Sequence, residues 1–348
     1  MNKHEYAPAA PQSVAELEDL LTVPTPEVVE LMRRLSGNLI VLGAGGKMGL
    51  TLARMARRAA VEANATLRVI AVSRFSDAKV RERLDACGVE TIGCDLLNES
   101  DVAALPDAAN VVYMPGFKFG ADHNPEQAWA INCYLPSLVA RRFAASRIAA
   151  FSTGNVYGMT SVASGGSRED DPLRPAGEYS VTALGRERMF EFFSRREKIP
   201  VVLLRLNYSC ELRYGVLVDM ARLVLAGQPI DVTMGYLNAI WQGDACAMSL
   251  LALEHAAVPP RVLNIAGPEV LRVRDLCEQL ARLMNRDVHI TGTEADDAFL
   301  SSAERAFTLV GRPHTRIIAL LAWTADWVHR GGESLNKPTH FQVRDGVF

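Results

Sequence analysis

The stretch NLIVLGAGGKMG, Asn38 to Gly49, constrains the fold more than any other part of the chain. A short apolar run stops at a cluster of glycines, and helical periodicity begins at once in KMGLTLARMARRAAVEA. Between the two, Gly43, Gly46 and Gly49 are spaced as GxxGxxG. In such a turn the first glycine permits a tight backbone. The second lets N–H groups approach a pyrophosphate, and the third lets the helix pack closely on the strand. A glycine triplet alone says little. Flanked by a strand and a helix it reads as a dinucleotide-binding turn, with Met48 among the residues facing the cofactor.

The downstream segments agree. LRVIAVS, VETIGCD, NVVYMPG, RIAAFSTG and PVVLLRL read as further buried strands. Helical patterns separate them, including one long helix over PEQAWAINCYLPSLVARRFAAS and another running through Tyr179 to Arg196. Strands alternating with helices predict an α/β fold, a Rossmann-type doubly wound parallel sheet. Beyond Asn207 the alternation loosens, which predicts a smaller C-terminal α+β substrate lobe. The expected division is an N-terminal extension (1–36), a dinucleotide-binding domain (37–206) and a mainly substrate-binding lobe (207–348), some segments of which return to the first domain. In the extension, TPEVVELMRRLSG carries Thr25 as N-cap, Pro26 as first helical residue and Gly37 as its close.

Composition narrows the partners. With 49% hydrophobic and 22% charged residues the chain has the makings of a sizeable core, and a net charge of −3 gives no global attraction to nucleic acid or an anionic membrane. The start of the chain has no signal-peptide pattern and no stretch approaches the ~20 apolar residues of a membrane helix, so a cytoplasmic protein is expected. Six cysteines without a CxxC pair read as buried reduced thiols, and no metal-ligand spacing is present.

The second strand ends in Ser73-Arg74 rather than in an acidic residue that would bind a ribose 2′-hydroxyl. Arg74, with Lys47 from the glycine turn, would suit a 2′-phosphate, so NADP is favoured and NAD remains possible.

From about Asn38 to about residue 325 the chain resembles the extended short-chain dehydrogenases/reductases of the NAD-dependent epimerase/dehydratase family. Asp95-Leu96 resembles the pair that holds the adenine amino group, and Pro115-Gly116 the small residues lining the cofactor after the fourth strand. Asn132 matches a site-organising asparagine. FSTGNVYG resembles SSxxVYG, with Thr153 at the catalytic Ser/Thr position. REDDPLRPAGEY resembles the approach to the catalytic tyrosine, with Glu169, Pro172, Pro175 and Tyr179 in register and Glu187 eight residues further on. The resemblance implies that the Tyr179 phenolate exchanges a proton with a substrate hydroxyl while hydride passes to a bound nicotinamide, and that the chain forms a homodimer through the helices after Ala130 and Glu178.

One residue departs from the pattern. The family's lysine, four residues after the tyrosine, is Ala183 here. A free tyrosine has pKa ~10, so at neutral pH its phenolate is disfavoured by ~4 kcal/mol. An ammonium 4–6 Å away offsets roughly 3–4 kcal/mol of this at an effective dielectric near 20. Lys118, in PGFKFG after the fourth strand, is the substitute the sequence offers, alongside the reading that it is merely a loop lysine. Arg186, ~10 Å from Tyr179 along the helix axis, is discounted.

On the substrate side, LLRLNYSCELRYG has Asn207 and Tyr208 but lacks the Gly-Pro of nucleotide-sugar enzymes. Asn155, Asn207, Tyr208 and Arg213 are the candidate substrate contacts. Arg205 is either another anion ligand or a structural ion pair, and Tyr236, Asn238 and Trp241 are a possible polyol surface. Asp244 is expected to cap a helix. Two functions remain: an NAD(P)-dependent oxidoreductase or epimerase/dehydratase acting on a hydroxylated, carbohydrate-like small molecule, or a non-catalytic NADP-binding regulatory or scaffold module.

Overall fold

A computed structural model describes residues 9–347. Seven strands form one parallel sheet: β1 (Leu39–Leu42), β2 (Val69–Ser73), β3 (Glu90–Gly93), β4 (Asn110–Tyr113), β5 (Arg147–Thr153), β6 (Val201–Leu206) and β7 (Arg261–Ile265). Their spatial order is β3-β2-β1-β4-β5-β6-β7. Chain order reverses between β1 and β4, the switch point at which such sheets bind ligands. The inner strands are apolar throughout because both faces are covered. Leu39 and Val41 face one core with the helix Gly49–Glu62, while Ile40 and Leu42 face another with Phe190 and Phe193 of the helix Gly177–Glu197. The sheet is the Rossmann-type architecture expected, and β7 reaches it from the C-terminal third of the chain.

The smaller lobe has its own core, built on the helices Val216–Leu225, Val273–Met284 and Ile317–His329, with short strand pairs such as Tyr236–Leu237 against Leu271–Arg272. Among the described residues two helices precede β1: α1 (Val14–Leu21) and α2 (Pro26–Arg34). Thr25 caps α2, accepting the Val28 N–H, and Pro26 opens it. The helix ends at Arg34, so Gly37 belongs to the turn beyond it, at φ +73°. Leu17 and Leu21 of α1 enter the lobe core while Val28, Leu31 and Met32 of α2 enter the sheet core. The extension thus staples the two bodies together. No helix among the described residues is long and apolar enough to cross a membrane.

The predicted long helix over 125–146 is instead three joined pieces, with a π-helical turn at Ala130–Tyr134 between Pro125–Trp129 and Leu135–Arg142. Pro136 explains the break. It has no N–H to give the carbonyl of Asn132, four residues back, and its ring would clash with that carbonyl in a regular helix. Widening to a π turn relieves both, and Asn132 is carried on the bulge.

Candidate active site

At the end of β1 the glycine turn has the geometry its spacing implies. Gly43 takes φ +81°, and a Cβ there would fall 2.9 Å from the Pro115 nitrogen, so the loops after β1 and β4 touch. At Gly49 a Cβ would fall 2.6 Å from Ala44 Cα, so the helix packs directly on its own turn. The Gly46 N–H turns inward and donates to Gly43 O (3.0 Å). Around this cradle lie Ser73 and the exposed Arg74 at the end of β2. Asp95 and the buried Leu96 follow β3, and the Asp95 side chain accepts the Leu97 N–H (3.1 Å). Lys47 corrects its expected place. Its ammonium does not join Arg74 but lies over the Tyr214 ring, 3.4 Å from the centroid, and 4.7 Å from that of Phe119.

Asn132 is fully buried and its amide makes four hydrogen bonds. Oδ1 accepts from Phe117 N (3.0 Å) and from Arg186 Nη2 (2.5 Å), while Nδ2 donates to Phe117 O (2.9 Å) and to Thr182 Oγ1 (2.9 Å). One side chain therefore holds both polar groups of the Phe117 backbone. Next in the chain, Lys118 places its ammonium 5.5 Å from the ring centroid of Tyr179 and 5.5 Å from that of Phe119. Burial lowers the Lys118 pKa to about 8. Lys47 is also lowered to about 8, first by burial and then by repulsion from Lys337 and Lys118.

Tyr179 occupies the first turn of the helix Gly177–Glu197, near Tyr214, whose phenol is held above the usual range first by burial, then by negative charge on Asp219 and Cys210, and last by charge on Tyr179. Thr153, at the end of β5, is buried. Its hydroxyl accepts the Asn155 N–H (3.2 Å) and donates to Asn155 Oδ1 (3.1 Å), so the two expected site residues form one unit. Ala183 is fully buried against Val156 and Tyr157, a position that holds a methyl group and no cation.

The substrate-side expectations fare differently. Arg213 is tied into an acidic cluster, donating to Glu211 (3.1 Å) and to Glu18 of α1 (3.0 Å), so its guanidinium locks the N-terminal extension to the lobe. Arg205 is the structural ion pair, bidentate to Glu187 at 3.0 and 2.7 Å. Asn207 is buried and donates to Phe299 O (3.2 Å), and Asn238 accepts the Ser301 N–H (2.9 Å); both join the sheet to the lobe. Tyr208 packs among apolar residues at φ +41°, a strained conformation for an aromatic residue. Trp241 is buried edge-to-face on Trp323 and Tyr236 packs beside Met234 and Phe299, so these aromatics fill the lobe. Asp244 caps nothing; from the first turn of Gln242–Leu251 it accepts the Thr315 N–H (2.9 Å).

Several members of the site had no signal in the sequence. Phe119 and Tyr214 bracket Lys47. The C-terminal segment crosses the same place, with the His340 ring 6.1 Å from Phe119, Thr339 donating to Asp219 (2.6 Å), and Gly346 packed on Gly177 at the start of the tyrosine helix. Arg186, discounted on distance, reaches the site after all.

Comparison with known proteins places this geometry. The family model described as NAD dependent epimerase/dehydratase family matches residues 39–266. Comparison with curated proteins returned no match. Among solved structures, a UDP-glucuronic acid 4-epimerase from Bacillus cereus in complex with UDP-glucuronic acid and NAD superposes with a TM-score of 0.70 at 18% identity, covering 84% of this chain and 99% of that one. MoeE5 in complex with UDP-glucuronic acid and NAD gives 0.68 at 21%, with the same coverage. DesIV, a dTDP-glucose 4,6-dehydratase from Streptomyces venezuelae with NAD and TYD bound, gives 0.71 at 18%, covering 84% and 97%. At these identities the likeness is one of fold.

Proposed function

The chain belongs to the NAD-dependent epimerase/dehydratase family of enzymes, and from that premise we propose that it is a Tyr179-dependent oxidoreductase or epimerase/dehydratase acting on a hydroxylated, carbohydrate-like small molecule. The observation that carries the reading is the Lys118 ammonium 5.5 Å from the Tyr179 ring centroid beyond the carboxyl end of β4, beside the Phe117 backbone that Asn132 holds, with Thr153 at the carboxyl end of the adjacent β5. A nicotinamide dinucleotide fits the cradle between Gly43, Gly49 and Pro115, where a Cβ on either glycine would collide with backbone, and it supplies hydride acceptance and return when bound. Gly46, Met48, Ser73, Asp95, Leu96 and Gly116 would line it.

The chain's own part is proton transfer. Tyr179 takes the proton from a substrate hydroxyl, with Thr153 hydrogen-bonding the same oxygen as charge develops. Lys118 supplies the positive charge that Ala183 does not. An ammonium beside the phenol favours the phenolate, and its partly buried setting strengthens the effect. The crystallised neighbours hold NAD with UDP-glucuronic acid or with TYD, and the first of these supports a carbohydrate substrate. NADP preference rests on Arg74 alone now that Lys47 points elsewhere.

A homodimer through the tyrosine helix and its neighbour is supported by the apolar residues those helices leave exposed, Trp129, Tyr134, Val181 and Phe192. A cytoplasmic setting is proposed on the six free cysteines, four of them buried.

The test is a fluorescence titration with NADPH and NADH, followed by hydride exchange with a panel of sugars, sugar acids and nucleotide sugars. Exchange that requires Tyr179 supports the proposal. Binding without exchange across the panel would leave the non-catalytic module standing.

A further inference from the structure

Arg186 is a buried cation for which the described residues supply no counter-charge within reach. It is 4% exposed, and no carboxylate among the described residues lies within 4.0 Å of its guanidinium. Its Nε is buried and makes no hydrogen bond, while Nη1 donates to Phe151 O (2.9 Å) and Nη2 to Asn132 Oδ1 (2.5 Å). A charge buried this way costs stability unless it is paired, so packing alone gives no reason to keep it.

Position explains how it reaches the site. Arg186 is seven residues after Tyr179, close to two full turns, and so on the same helix face. Long helical side chains lean toward the N-terminus, which carries the guanidinium back along the axis toward Asn132 and Gly116. A Cβ on Gly116 would fall 2.9 Å from Nη2.

The chemistry at Asn132 then has one solution. A guanidinium has only donors, and the Phe117 N–H is also a donor, so the atom facing both must be the amide oxygen. Flipping the amide would set its NH2 against two donors and lose both Phe117 bonds. We infer that Arg186 is a positioning residue: it fixes the Asn132 amide, which clamps the Phe117 backbone and thereby holds Lys118 against Tyr179. The clamp is a property of the protein itself, while its catalytic consequence rests on the role proposed above for Lys118.

Backbone hydrogen exchange on the full chain tests the clamp directly. In Arg186→Met the Phe117 amide should exchange about tenfold faster than in the wild type, with Arg186→Lys, which keeps one donor, in between. Unchanged exchange in Arg186→Met overturns the inference. Should that variant not fold, Gly116→Ala displaces the guanidinium while keeping the charge and must loosen the same amide.

The route to Tyr179 is read as kcat at pH 7, where Lys118 still carries its charge, on the substrate that the panel above returns. Arg186→Met and Lys118→Ala should each lower kcat about tenfold, and the double variant no further than either. An Arg186→Met loss that persists undiminished in Lys118→Ala means the guanidinium acts by its own charge, which overturns positioning. Faster exchange with a kcat that Lys118→Ala leaves unmoved supports the clamp and overturns the role given to Lys118.

Discussion

The helix Gly177–Glu197 carries two buried polar clusters, and they are built on opposite principles. At Glu187 every charge is matched: Arg205 bonds the carboxylate through both Nε and Nη2, Ser152 donates to the same carboxylate (2.5 Å), and Arg205 Nη1 reaches Tyr157 (2.8 Å), which donates to Asn264 (2.7 Å). Around Tyr179 cations gather instead. Positive charge on Lys337 and Lys118 adds to burial in lowering Lys47, and Arg186 stands behind them with no carboxylate within 4.0 Å among the described residues. The first cluster is a closed circuit that fastens β5, β6 and β7 to the helix. The second gathers positive charge at the mouth of a cofactor cradle, where a phenolate, a phosphate or a carboxylate would be favoured.

The largest effect that could break this contrast is on stability. Removing one partner of the matched cluster leaves a buried charge uncompensated, so Glu187→Ala should cost about 3–5 kcal/mol in denaturant unfolding. A loss below about 1 kcal/mol would mean that water or a shifted side chain satisfies Arg205, and the cluster would not be the closed circuit described. The cationic cluster should behave in the reverse way. Tyr179→Phe should leave the unfolding midpoint near the wild type and reduced-nucleotide binding intact, while turnover falls at least about a hundredfold. Full turnover in that variant would take the tyrosine out of the chemistry and, with it, the reason for gathering cations there.

How far the sequence foretells this difference depends on the range of the interactions. The sheet is legible because each buried strand is a short apolar run and the glycine turn is local: Gly43 and Gly49 act on residues that the strand–turn–helix brings together by itself. Tyr179, Thr153 and Asn132 are legible because they stand at strand ends or in motifs. Arg213 and Asn207 are not, since their ties are to Glu18, 195 residues away, and Phe299, 92 away, and spacing says nothing about such partners. Arg186 is lost for another reason. Rise per residue measures where its Cα lies, whereas its guanidinium ends several ångströms nearer the N-terminus. The π turn has a local cause in Pro136, but the helical periodicity on either side of that residue masks it.

A smaller effect sharpens the contrast through pH. Burial holds Lys118 at about 8 in the folded protein, below its ordinary value of 10.5. Between these values the unfolded chain keeps the proton that the folded chain has released, so this group's contribution to stability rises with pH across that window. Below pH 8 both states are charged and the whole burial penalty is present. Lys118→Met should therefore be more stable than the wild type by about 1–2 kcal/mol at neutral pH, with the gap closing as pH climbs from 8 toward 10.5. The comparison must be made between the two proteins at each pH, because thiols such as Cys94 and the half-buried Cys133, both raised to about 11 chiefly by desolvation, pull the wild-type curve downward over an overlapping range. A gap that stays constant with pH would show that Lys118 is solvated, and would place it outside the cationic cluster.

The smallest effect concerns the far end of the cradle. Arg74 is exposed after β2 and is the cation on which the proposed NADP preference rests, Lys47 having been drawn to Tyr214 and Phe119. A single solvated guanidinium gains a charge-assisted bond to phosphate but is screened by salt, so its contribution is modest. Arg74→Ala should weaken NADPH relative to NADH by about tenfold in fluorescence titration, and less at high ionic strength. A ratio that does not move would mean that nothing at this end reads the 2′ position. Discrimination would then have to come from the Lys47 side, where the positive charge faces the reacting end of the site and not the adenosine.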